Sequence, residues 1–581
     1  MKSESKSEVE LTKKGVFHQN KKIADPIRVR ARGKREPDGK WFAQIRFRTM
    51  DGDYRSELFP MSCLLPDNRK ELKCRLADFG YRWPEDAGLS QEILGKISTA
   101  QPTKTFQIVN GPGWRYPHFV LPGKVISPDA TPPEIFIDPE TAHIGEFAVG
   151  EGALADWQEH IAKPSRLSRC LRLAISAAFA APFLRLLEMD SFGLNFFSET
   201  SDGKTLALYV GASVPGLIGP AGLPGWADSI AGLEDLLIGR RDCLVPVDEQ
   251  GDGEHQMPPE EKARSLAFMV ARNRPRRLAR RYERNHNLEG RESRNIVIST
   301  SERSMGQIAR EAKSKRLGGE EVRLIDVPAS DPGSSGIFDR DIDAVPNQTL
   351  QETTKDLVDR LRVDSIKYQG HAFRAFLDRC VHHADGLALI KRYKELFEKD
   401  AAVPAVHNAH YRIRGNFAVI YGAAALAIDY KILPWKRKPT FQAIEKCMRL
   451  ALDRIDIGRA RATSATPSLD SDRICRTLHE RITEAKIVKV TPKQRTTDKQ
   501  VRQRRHADGF KINGKLYVKP NCFKQWFPKQ AERYLLKDLK LIITERNDTA
   551  TVEKKIGGID GKPRYYAIDI HALRRLIPAR N

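Results

Sequence analysis

The chain has 581 residues, more than one hydrophobic core normally organises, so three or four domains are expected. Hydrophobic residues make up 40% and charged residues 30%, which excludes wholesale disorder, and the longest apolar runs are too short to cross a bilayer. Lysine and arginine number 98 against 75 acids, and the net charge of +23 points to a polyanionic partner, nucleic acid first. The eight cysteines are scattered without a CxxC pair, so neither a zinc site nor a disulfide framework is expected. The polar opening MKSESKSEVELTKKG shows no signal peptide, and the expected setting is cytoplasmic, with no membrane partner.

In chain order, residues 1–25 read as a flexible tail and residues 26–150 as a β-rich N-terminal domain, with strands at 27–30, 41–48 and 54–59 and a helix near 68–79. From 151 to 335 strands alternate with helices: strands at 191–197, 243–247, 295–299 and 322–327, helices at 164–188, 204–212 and 259–271. That alternation predicts an α/β domain with a parallel sheet covered on both faces. Residues 336–350 read as a linker, 351–460 as a helical bundle, 461–505 as a basic linker, and 506–581 as a final α and β domain.

Ser198-Glu199-Thr200-Ser201-Asp202-Gly203-Lys204-Thr205 falls between a strand and a helix, where a phosphate-binding loop belongs. Backbone N–H groups would face ATP phosphates, Lys204 would neutralise them, and Thr205 would reach Mg2+. Ser198 replaces the usual first glycine, and the bland alternative is a helix N-terminus with an incidental lysine. Forty-four residues after Lys204, the apolar run from Cys243 ends in Asp248-Glu249, the pattern of a magnesium-holding aspartate and a water-activating glutamate. The strand at 295–299 ends in Ser299-Thr300, where a polar γ-phosphate sensor would sit. Between these strands, RNRPRRLARRYER holds seven arginines, among them Arg276, Arg277, Arg280 and Arg281, a candidate grip on DNA phosphates.

The runs SFGLNFFSETSDGKTLALYVGASV, LPGWADSIAGLED, CLVPVDE, NIVISTSE and GGEEVRLIDVPA, with FQIVNGPGWRYPHFVLPG upstream and RIRGNFAVIYGAAALAIDYKILPW downstream, resemble the bacterial family catalogued as domain of unknown function 927. Members of that family are carried by mobile elements, and their staphylococcal cassette relatives resemble MCM replicative helicases. The resemblance therefore implies an AAA+ P-loop ATPase core, a helical lid over 351–460, a hexameric homo-oligomer, and single-stranded or forked DNA as partner. It also implies Arg323 as the arginine offered to a neighbouring subunit's nucleotide, and Arg412 or Arg414 as the lid's sensor arginine, although Asn416 stands where the family tends to show a further arginine.

Lys486 to His506 holds eight lysines and arginines against one acid. Beyond it, a strand, two helices and a hairpin suggest a winged-helix-like DNA-binding domain, with Lys554, Lys555, Lys562 and Arg564 on or near the wing. Trp114 and Trp226 stand in turns and read as buried anchors. The expected activity is an ATP-dependent DNA helicase or translocase; the alternative is an ATP-dependent DNA-binding switch that does not unwind.

Overall fold

Four apolar runs align side by side as a parallel sheet in the order Leu244–Val247, Ile296–Ser301, Phe192–Phe197, Leu324–Pro328. The arrangement is that of a computed structural model, which describes residues 8–36, 38–138, 147–198, 203–225, 228–248, 259–273, 292–312, 318–330, 336–339, 349–401, 408–454, 469–491, 496–513, 515–527, 536, 541–543, 551–557 and 559–576. Every residue of the four strands is buried, as parallel strands covered on both faces must be. Leu244, Ile296 and Ile298 pack with the helices Arg169–Ala180 and Lys204–Ser213, while Val245, Val247 and Val297 pack with Ile230–Gly239 and Pro259–Ala271.

The helices expected over 351–460 form, as Leu350–Lys367, His371–His382, Gly386–Asp400, Asn408–Asp429 and Arg437–Leu452. They do not stand apart as a bundle. The small side chains of Ala423, Ala424, Ala425 and Ala427 share one core with Ala174, Ala177 and Ala178 of the helix Arg169–Ala180, so this layer is continuous with the sheet. Residues Met1–Asp456 accordingly form one unit, and Ile457–Asn581 a second.

At the N-terminus, a five-stranded sheet runs in the order Ile135–Ile137, Lys104–Val109, Ile27–Arg35, Trp41–Arg48, Tyr54–Pro60. One face packs Phe47 and Phe59 against Leu72, Leu76, Ile93 and Ile97 of the helices Arg69–Asp78 and Ala87–Thr99. The expected tail is corrected: Glu10–Leu11, Val16–His18 and Lys21–Ala24 form a small antiparallel sheet, turned at Gln19 and Asn20, both left-handed. Val9 and Val16 are buried in the same core, two apolar anchors too few to show through the surrounding charge.

No seam divides the chain near residue 150. Gly113–Arg115, His118–Leu121 and Lys124–Ile126 pair as a three-stranded sheet whose Trp114 and Phe119 lie in the main core. Trp114 is the anchor expected of it, its indole N–H donating to the Pro182 carbonyl at 2.8 Å; Trp226 lies outside the described residues. The junction is fixed by Asp242, fully buried, whose Oδ2 accepts the Trp114 N–H at 3.0 Å while both carboxylate oxygens face Arg185 Nε at 3.1 Å. Gly113, at φ 109°, must lack a side chain there, because a Cβ would meet Asp242 Oδ2 at 2.4 Å. Beside it Arg241 donates to the Pro112 carbonyl at 2.9 Å; burial, then repulsion from Arg115, holds its guanidinium down to about 10.

The second unit is built on a sheet in the order Ile487–Lys489, Gly509–Ile512, Lys515–Val518, Arg564–Asp569, Ile542–Ile543, with Val552–Glu553 also pairing Arg564–Asp569. Pro520–Trp526 is the first of the helices expected of a winged helix, and most of the second lies outside the described residues. The expected basic linker contains the helix Leu469–Glu484, with Cys475 and Leu478 buried, and Asp498–Arg505, whose buried Arg504 bonds the Gly557 carbonyl. Its apolar stripe is sparse, which is why charge dominated the reading of that stretch.

Asp242→Ala would leave Arg185 Nε and the Trp114 N–H without their acceptor, Arg185 keeping only Glu292, and breaking such a buried pair costs about 3 kcal/mol. Urea denaturation of the variant should show the loss, and a change below about 1 kcal/mol would remove Asp242 as the junction's anchor.

Candidate functional site

The strand Phe192–Phe197 ends at Ser198, and the chain re-emerges at Gly203, left-handed at φ 80°, to begin the helix Lys204–Ser213. A strand, a short loop and a helix N-terminus thus occur where the sequence placed them; Glu199 to Asp202, including the expected Ser201 and Asp202, lie outside the described residues. Lys204 arches back over the loop, its Nζ donating to the Ser198 carbonyl at 2.7 Å. The Ser198 hydroxyl is buried and has no hydrogen-bond partner among the described residues.

Strand register does the rest. Val247 pairs with Ser299, so Asp248 emerges beside Thr300, whose Oγ1 donates to Asp248 Oδ1 at 2.6 Å. Thr205, on the first turn of the helix, directs Oγ1 to the same oxygen at 3.4 Å. The Asp248 N–H is tied to the Pro224 carbonyl at 2.8 Å, which fixes where its carboxylate stands. Among the described residues no cation forms a salt bridge with Asp248; a carboxylate and a threonine hydroxyl together are the hard oxygen pair that Mg2+ takes, and the residues fit that ion. Glu249 lies outside the described residues.

Ser299 turns away from this edge and into a buried polar seam that the sequence reading missed. Asn195, midway along an otherwise apolar strand, accepts from Ser299 Oγ at 3.1 Å and donates to Ser301 Oγ at 2.8 Å and to Asp326 Oδ1 at 2.9 Å. Asp326 in turn accepts the N–H groups of Met305 and Gly306, at 3.0 and 3.3 Å, at the start of the helix Met305–Glu311. The seam follows from register, since Asn195 pairs with Ser299 on one side and Asp326 on the other.

The expected arginines are not gathered at this edge. Arg323 precedes the strand Leu324–Pro328, so it lies at the opposite end of the sheet, about 16 Å along the strand from the loop. Its guanidinium rests 5.0 Å over the Phe268 ring and donates to the Gly319 carbonyl at 2.9 Å. Arg412 approaches Asp190, just ahead of the Phe192 strand, at 3.7 Å, and Arg414 donates to the Glu398 carbonyl at 3.1 Å. Both therefore sit at the far end of the sheet, away from the loop end where the resemblance would place a sensor arginine. The arginine the helical layer does bring to the loop end is Arg454, 5.0 Å over the ring of Phe197. Its position just after the last helix was the available signal.

Arg276, Arg277, Arg280 and Arg281 lie outside the described residues. In the second unit, Lys554 stands 5.5 Å over the Tyr517 ring and Lys555 is exposed. Arg564 is engaged across the hairpin with Thr551 and Glu553, so it braces the hairpin.

Together these elements define a mixed α/β protein built on a parallel sheet. Residues 5–287 match the family described as Domain of unknown function (DUF927), the family its wording resembles. A solved structure of the SCCmec type IV Cch active helicase shares the fold over 98% of both chains, with a TM-score of 0.58 and 14% identity. No curated protein matches.

Asn195→Asp sets two buried carboxylates against each other and Asp326→Asn sets two amides together, so each alone should destabilise the fold by about 2 kcal/mol, while the double variant, which removes both clashes, should lose less than the sum. Denaturant midpoints of the four proteins measure this; additive losses would mean the two residues are not coupled.

Proposed function

We propose that the chain is an ATP-dependent DNA helicase or translocase of a mobile genetic element, an AAA+ ATPase working as a hexameric ring in replication. The observation that carries the reading is the meeting of Lys204, Thr205, Asp248 and Thr300 at one sheet edge, with the sensor strand lying between the loop strand and the Asp248 strand. The helicase fold of the solved neighbour supports it.

In this reading ATP's phosphates enter the loop and Lys204 transfers its ammonium from the Ser198 carbonyl to the phosphate oxygens. Mg2+, held by Thr205 and Asp248, would supply charge neutralisation on the phosphates. Thr300 fixes the Asp248 carboxylate by its hydroxyl, and Glu249 orients the attacking water. Arg323, turned away from its own site, is left for a neighbouring subunit's nucleotide. Arg454 replaces Arg412 and Arg414 as the arginine of the helical layer facing the nucleotide. DNA contacts come from Arg276, Arg277, Arg280 and Arg281 and, in the second unit, from Lys554 and Lys555.

Lys204→Ala should abolish ATP binding, whereas Glu249→Gln should keep binding and lose about a hundred-fold or more in turnover, measured by equilibrium binding and phosphate release. Normal hydrolysis by the glutamine variant would reject the site. A strand-displacement assay beside it separates a helicase from a switch: DNA-stimulated hydrolysis without displacement belongs to the switch.

A chain ending at Asp456 keeps the whole first unit, so basal turnover should stay within a few-fold while duplex affinity falls. Unchanged duplex affinity would assign the second unit to a protein partner.

A further inference from the structure

Helices cover one face of the five-stranded sheet; on the other, Ala31, Phe42, Phe106 and Ile108 form a small buried cluster at one end. Ile45 and Phe47 point into the helix-covered core, so Arg46 and Arg48 emerge on the opposite face. Register sets Arg28 and Ser56 on either side of Arg46, and Tyr54 beside Arg48.

Of the sheet's other arginines, Arg30 pairs with Glu134 at 2.7 Å, Arg35 with Asp38 and Asp138 at 2.7 and 3.0 Å, and Arg55 with Glu57 at 2.5 Å, while Arg32 donates to the Ala100 carbonyl and the Gln101 side chain. Arg28 and Arg46 stand directly opposite one another, and neither has an acidic partner among the described residues. Arg48 donates only to the Gly52 carbonyl at 2.8 Å. Like charges facing across strands cost stability, and a bound polyanion would relieve that cost. The Arg46 guanidinium lies 4.8 Å from the centroid of the Tyr54 ring, which remains 53% exposed. A ring braced by a guanidinium and otherwise open to solvent is a platform for an unstacked base.

We infer that the other end of this face, through Arg28, Arg46, Arg48 and Tyr54, binds single-stranded nucleic acid. The arginines meet successive phosphates and Tyr54 stacks one base. A duplex offers the phosphates without a free base face and so binds more weakly here. An acidic protein surface would satisfy the arginines and leave Tyr54 unused. The inference is independent of ATP hydrolysis, and its test contains no nucleotide, so it stands or falls apart from the proposed activity.

The test uses the full chain with fluorescent twenty-nucleotide oligo-dT and oligo-rU across a salt series, the pair distinguishing DNA from RNA. Replacing Arg28, Arg46 and Arg48 by alanine should weaken binding about ten-fold and reduce the slope of log affinity against log salt by about two, at roughly 0.7 per phosphate contact. Tyr54→Ala should weaken it several-fold, while Tyr54→Phe should bind as the parent does. On the unaltered protein, photo-crosslinking with 4-thiothymidine oligonucleotide should label the peptide carrying Tyr54, a readout that does not depend on any variant folding. Unchanged affinity and slope, absence of that crosslink, or equal displacement by polyglutamate would each overturn the proposal.

Discussion

A single buried carboxylate, Asp242, holds the first unit together. It has no access to water, and its charge is compensated by Arg185, by the Trp114 N–H and by the nearby Arg115 and Arg241. Those partners come from segments far apart in the chain, and the loop that carries Trp114 also takes the Arg241 guanidinium. Burial that drives Arg241 down to about 10 is a cost offset by these bonds. The Asp242 N–H is bound to the Arg294 carbonyl, just ahead of the strand Ile296–Ser301, so the same residue fixes the relative start of two strands. Since register propagates residue by residue, anchoring one end of the sheet determines which side chains meet at the other.

Much of the parallel sheet was legible because its strands are short, fully apolar runs bounded by turns. The helix 259–271 was read with the bounds it has. Elsewhere the pattern misled for identifiable reasons. Residues 10–24 carry two buried valines amid lysines, too weak a signal to separate a small sheet from a tail. The helical layer was read as a bundle of its own, because alanine-rich faces look alike whether they pack on each other or on a neighbouring helix. In the second unit, a helix with a sparse apolar stripe was hidden by its charge.

At the candidate site, legibility followed distance in sequence. Lys204, Thr205 and Asp248 were readable because each adjoins a strand end, and the ends of parallel strands lie at one edge. Arg412 and Arg414 were placed by resemblance alone, and the direction of their helix carries Arg412 to Asp190 and Arg414 to the Glu398 carbonyl. Asn195 and Asp326 carried no sequence signal: a polar residue inside an apolar run has meaning only once its cross-strand neighbours are known.

That last feature constrains how this sequence can change over time. Asn195, Ser299, Ser301 and Asp326 satisfy one another in a place water does not reach, so none can be exchanged freely while the others stay. Drift at one position must be answered at another. Among relatives the four should therefore vary as a set, an all-polar seam in some and an all-apolar one in others, with mixed versions the rare intermediates.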